Sequence, residues 1–143
     1  RSEFGVAAAS AAGTKYANQR TVDSSIYISG QLPYKDGELL GQGIVGRDID
    51  VQTARGLARQ AALNALAVAA QAVGDLDRVR IVQMLVFVAS TPELGEQSVV
   101  ADAASDLLFE VLGENGRHAR TAIGVAGLPR NSPVEIQMVC TAA

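Results

Sequence analysis

Val79-Arg80-Ile81-Val82-Gln83-Met84-Leu85-Val86-Phe87-Val88 decides the fold. The stretch is too short to span a membrane, is rich in β-branched residues, and is apolar at nearly every position. It therefore reads as a central strand that wants burial on both sides. One face shows Val79, Ile81, Leu85 and Phe87, and the other shows Val82, Met84, Val86 and Val88. Upstream, Asp50 is an N-cap. Val51, Ala54, Leu57, Ala58, Ala61, Ala65, Val68, Ala69 and Ala72 then recur at helical spacing up to Gly74, a C-cap. The stripe is mostly Ala, small enough to let the helix lie close on a sheet. Downstream, residues 96–112 return to helical spacing through Val100, Ala103, Ala104, Leu107, Leu108 and Val111 and end at Gly113.

Farther out, residues 22–29 read as one strand around Ile26, Tyr27 and Ile28 that stops at Gly30. Lys35-Asp36-Gly37-Glu38 carries the Asp-Gly signal of a tight turn inside a hairpin over residues 31–44. A polar loop at 114–119 leads to strands at 120–126 and 134–141, joined by the Gly127-Leu128-Pro129 bend. The order strand, hairpin, helix, strand, helix, strand, strand defines an α+β fold, a β-sheet with two helices on one face. Two helices cover only one face. The other face of 79–88, and Val139 beside Val134, Ile136 and Met138, must be covered as well. Leaving such side chains in water costs about 1.5 to 3 kcal/mol each, so the pattern predicts a homo-oligomer.

The chain has 143 residues, the size of one domain. Twelve Lys and Arg stand against 15 Asp and Glu, a formal net charge of −3, with no basic run to follow a phosphate backbone. Aromatic residues make up 4% and Trp is absent, which removes the stacking platforms of single-strand binders. Nucleic acid is excluded as a partner on these grounds. The apolar stretches are interrupted well before the ~18 residues of a membrane span. The lone Cys140 cannot form a disulfide within the chain, which suits a reducing cytoplasm. Residues 1–4 read as a cloning remnant, and the Ala-rich residues 6–12 lack the basic flank of a complete signal peptide. Residues 1–12 are thus assigned to an N-terminal extension and 13–143 to the domain.

Gly41-Gln42-Gly43-Ile44-Val45-Gly46 fits the spacing of dinucleotide-binding loops, but Arg47 to Asp50 separate it from the helix, so the glycines suit a bulged hairpin instead. One His and one Cys cannot build a His- or Cys-based metal site, and no cofactor motif is present. Cys140, on the last strand, reads as a buried structural thiol. His118, between Arg117 and Arg120, reads as a loop residue. Arg120 and Glu135 begin the last two strands, 135 − 120 = 15 positions apart. In an antiparallel pair they would lie at opposite ends, so chain order alone leaves them as two edge charges.

Three segments carry a resemblance. Arg120-Thr121-Ala122-Ile123-Gly124-Val125-Ala126-Gly127-Leu128-Pro129 followed by Val134-Glu135-Ile136 resembles the C-terminal signature of the Rid family, also called the YjgF or endoribonuclease L-PSP family. Ser29-Gly30-Gln31-Leu32-Pro33 is similar to its first-strand signature and Val86-Phe87-Val88 to its central strand. The match runs from about Gly13 onward. It implies a chorismate-mutase-like fold in a homotrimer whose sheets face a central axis, with sites in clefts between neighbours. It implies hydrolytic deamination of enamines or imines to ketones and ammonia, without a cofactor. Carried over by residue, Arg120 is similar to the arginine that binds the substrate carboxylate and Glu135 to the glutamate that positions the attacking water. Tyr16 is similar to the site tyrosine, and Gly30 supplies backbone polar groups.

Asp102 stands where many active members have Asn, and Ala122 where they have Cys; residues 91–100 form a longer segment. These departures mark a divergent branch. Asp102 beside a carboxylate-binding arginine would repel an anionic substrate unless it is protonated or turned away. The alternative to a deaminase is a non-catalytic trimer that binds a small carboxylate metabolite, or serves a regulatory role.

Overall fold

The Asp50 carboxylate accepts a hydrogen bond from the Thr53 N–H at 2.7 Å and starts α1 (Val51–Val73). Gly74, at φ 91°, ends it by donating its N–H to the Ala70 carbonyl. Both caps are satisfied by local chemistry, and α1 spans the range its apolar spacing predicts. The computed structural model describes residues 4–6 and 15–143; residues 7–14, where the extension was expected to end, lie outside the described residues. Phe4 and Val6 pack against the core.

The remaining elements are β1 (Gln19–Val22), β2 (Ser25–Gln31), β3 (Tyr34–Lys35), β4 (Glu38–Leu39), β5 (Val79–Ala89), α2 (Gln97–Leu112), β6 (Ala119–Val125) and β7 (Val134–Ala142). The main sheet has the order β1-β2-β7-β5-β6. It is mixed, because β6 runs parallel to β5 while β7 runs antiparallel to both β5 and β2. Ala54, Ala58, Ala61, Ala65 and Ala69 of α1 are fully buried, as close approach of the helix requires. Leu107 and Leu108 of α2 join them over Met84, Val86, Ile136 and Met138.

Four expectations need correction. The strand expected over 22–29 and ending at Gly30 is β2, which starts at Ser25 and runs through Gly30 to Gln31; Asp23, at φ 55°, turns the chain into it from β1, a strand the sequence reading does not contain. The hairpin at 31–44 pairs only Tyr34–Lys35 with Glu38–Leu39, with both Asp36 and Gly37 at positive φ. The segment carrying Gly41, Gly43 and Gly46 is a loop and not a bulged hairpin. It lies against the end of the sheet, where buried Val45 donates to the Ala89 carbonyl and accepts from the Thr91 N–H. Finally, β6 and β7 do not pair, since β5 lies between them.

A β-bulge between Ile81 and Gln83 also resets the parity of β5. Val79 and Ile81 before it, and Met84, Val86 and Val88 after it, all point to the helices. Leu85 and Phe87 face the other way, half-buried. The uncovered face also carries Tyr27, Val82 and Ile123, which are 50%, 46% and 41% exposed.

Candidate functional site

Cross-strand neighbours share a face of a sheet, so the register places each candidate residue. Arg120 lies opposite Met84, which is buried in the core, and its side chain therefore points to the helix side of β6. Its Nη1 donates to Asp102 Oδ1 at 2.9 Å and to Ser105 Oγ at 3.1 Å, both on α2. Glu135 lies opposite Phe87, between buried Val134 and Ile136, and points to the uncovered face. The two partners on β5 are 87 − 84 = 3 positions apart, an odd offset that puts Arg120 and Glu135 on opposite faces. Within one chain they cannot share a ligand.

Glu135 instead meets Gly30. Between Ile28 and Gln31 the pairing of β2 with β7 shifts by a bulge, and the Gly30 backbone there lies under the carboxylate. A Cβ on Gly30 would sit 2.3 Å from Glu135 Oε2, so only glycine leaves the carboxylate room. The carboxylate makes no hydrogen bond among the described residues, and partial burial raises its pKa above the ordinary glutamate value of 4.5. Ala17 and Asn18 accept hydrogen bonds from Ser29, from its Oγ at 2.7 Å and its N–H at 2.8 Å respectively. This pins the segment carrying Tyr16 beside the same bulge; Tyr16 itself is 67% exposed.

The candidate residues thus fall into two groups on opposite sides of the sheet. Gly30 and Glu135, with the Tyr16 segment anchored nearby, occupy the uncovered face, while Arg120 and Asp102 occupy the gap between edge strand β6 and α2. Ala122 shares the face of Arg120, opposite buried Val86.

Two residues that sequence reasoning did not assign to the site, Ser105 and His118, adjoin Arg120. Ser105 Oγ lies 2.9 Å from His118 Nε2, and His118 Nδ1 lies 2.6 Å from the Gly116 carbonyl oxygen. Gly116 allows this, because any Cβ there would meet the Leu108 carbonyl at 2.2 Å. The turn at Gly113–Gly116 therefore sits flush on α2 and aims His118 at Ser105. Ser105 at mid-helix gave no signal in the sequence. Cys140 is fully buried, and burial pushes its thiol up to about 11, as suits a structural residue.

A mixed sheet of this order with two helices on one face is the arrangement of chorismate-mutase-like domains. Residues 3–141 match the family described as "YjgF/chorismate_mutase-like, putative endoribonuclease", and the chain belongs to that family. It is 44% identical over 131 residues to Protein TCP17 of Trypanosoma cruzi, covering 90% of this chain and 82% of that protein. It is similar to the crystal structure of a protein named a putative endoribonuclease from Shewanella oneidensis, with a TM-score of 0.90, 34% identity, and 95% and 91% of the two chains covered. At the level of fold it is also similar to Escherichia coli TdcF, whose structure holds bound serine, with a TM-score of 0.68, 22% identity, and 94% of each chain covered.

Proposed function

We propose that the protein is a homotrimeric deaminase that hydrolyses carboxylate-bearing enamines or imines to a ketone or keto acid plus ammonia, at sites between subunits. The observation that carries this reading is Glu135, a half-buried carboxylate with no partner among the described residues, pressed on Gly30. Such a group has been left free to handle a proton. Arg120, on the far face of the sheet at its edge, supports a site completed by a second copy, which would set the guanidinium of one chain across from Glu135 of another. The apolar side chains on the uncovered face supply a reason for the copies to associate.

In that cleft Arg120 grips the substrate carboxylate by charge-assisted hydrogen bonds. The enamine tautomerises to the imine, and Glu135 accepts a proton from the water that adds to the C=N carbon. With the imine nitrogen protonated, this addition gives the neutral carbinolamine; Glu135 then hands its proton to the amino nitrogen, the C–N bond breaks and ammonia leaves as the C=O bond forms, and the hydroxyl proton passes back to Glu135 and from there to solvent. A carboxyl whose pKa is raised by burial is suited to both steps, because it exchanges its proton closer to neutral pH. No cofactor is called on. The serine in TdcF is itself a small carboxylate. RNA suits this chain poorly, since Glu135 and Asp102 add negative charge at the proposed site and the net charge is −3. The free, buried Cys140 suits a reducing cytoplasm.

The Asp102–Arg120 ion pair supports a second reading, a non-catalytic trimer that binds a metabolite, because the arginine already has a counter-ion. One experiment separates the two. Freshly generated short-chain enamines are supplied to the protein and ammonia is measured; release above the spontaneous rate is expected. Thermal stabilisation by a keto acid with no ammonia release would overturn the deaminase and leave the binding protein.

A further inference from the structure

Deepening the reading of Arg120 as the carboxylate-binding group, and resting on it, we infer that Ser105 and His118 are positioning residues that clamp the guanidinium by its Nη1 corner. The carbonyl, carboxylate and guanidinium roles are fixed by chemistry, and the Ser105–His118 direction follows for a neutral imidazole. The Gly116 carbonyl can only accept, so His118 Nδ1, 2.6 Å away, carries the proton. In the neutral ring Nε2 is then an acceptor, and the Ser105 hydroxyl donates to it across 2.9 Å. The lone pairs of Ser105 Oγ remain free to accept from Arg120 Nη1 at 3.1 Å. Asp102 Oδ1 takes the other Nη1 hydrogen at 2.9 Å.

An arginine has five N–H donors, and this arrangement uses the two on Nη1. Nε and Nη2 make no hydrogen bond among the described residues. Their three hydrogens include one of the two edges by which a guanidinium binds a carboxylate bidentately. A long, flexible side chain on an edge strand would otherwise lose rotamer entropy on binding; held at one corner, it is oriented in advance. His118 contributes at one remove, by fixing the Ser105 hydroxyl so that its lone pairs turn to Arg120. Ser105 is a clamp and not a nucleophile. It lies mid-helix, where the surrounding backbone N–H groups are spent on the α2 ladder and form no oxyanion hole.

The test measures binding of 2-oxobutyrate by calorimetry and the kinetics of imine hydrolysis in the full-length chain. Ser105→Ala and His118→Ala should each weaken 2-oxobutyrate binding by about three- to tenfold, the worth of one hydrogen bond, with KM rising and kcat nearly kept. His118→Gln returns an acceptor oxygen near the Nε2 position and should recover most of the lost affinity. Equal loss in His118→Gln and His118→Ala, or a fall in kcat without a rise in KM, would reduce the pair to a structural role and overturn the inference. If Arg120→Ala loses binding while Ser105→Ala and His118→Ala bind as the parent does, the clamp is wrong and the carboxylate reading stands. If the parent does not bind 2-oxobutyrate, or Arg120→Ala binds it unchanged, the carboxylate reading falls and the clamp with it.

Discussion

Glu135 is a carboxylate held half out of water with no hydrogen-bond partner among the described residues, and its desolvation links stability to pH. Its folded-state pKa lies above the unfolded value, so the native protein binds the proton more tightly. That contribution is fully present below the ordinary glutamate value and is lost as pH rises through the raised one. Glu135→Gln should therefore melt at or above the parental temperature at pH 7 and match the parent near pH ~4, while its rate falls by about 10² to 10⁴. Thermal melts across that range check the first half and ammonia release the second. Asp102→Asn keeps an acceptor for Arg120 Nη1 and removes the charge that competes with a substrate carboxylate. Affinity for 2-oxobutyrate, read by calorimetry, should rise by about two- to fivefold, in keeping with a partly exposed ion pair. At this scale the sequence was legible through resemblance. Arg120 and Glu135 were visible as types, but Ser105 was not, because a serine in a helix carries no mark of which side chain it meets.

Among the elements, α1 was legible because its start and stop are local: Asp50 and Gly74 cap it with bonds to residues three and four positions away. The turn at Asp36-Gly37 was legible for the same reason. Strand order was not. Nothing in residues 119–142 says that β5 slips between β6 and β7, or that the bulge after Ile81 turns Val79 and Ile81 to the helices. The polar, exposed β1 was missed because an edge strand needs no hydrophobic alternation. The bulge in β2 gives a prediction of its own. The φ of Gly30 suits any residue, and the atom its Cβ would strike is the end of a flexible side chain. Gly30→Ala should keep the parental melting temperature within a few degrees yet lose most of the rate, because the Glu135 carboxylate must move. A variant as active as the parent would detach Gly30 from the site.

The face of the sheet that the helices leave uncovered carries a cluster of exposed apolar side chains. Tyr27, Val82 and Ile123, around half-buried Leu85 and Phe87, form the contact surface for the proposed trimer, and light scattering should give three times the 14.8 kDa chain mass. A stable monomer would remove both the interface and the cleft. The same face holds Glu135, while Arg120 belongs to the opposite side, so assembly and catalysis become one question. Arg120→Ala and Glu135→Gln are each expected to be inactive alone. Unfolded together in equal amounts and refolded, they should recover about a quarter of parental ammonia release, because one site in four would draw an intact arginine from one chain and an intact glutamate from the next. A refolded trimer mixture as inactive as its two components would contradict a site shared between subunits.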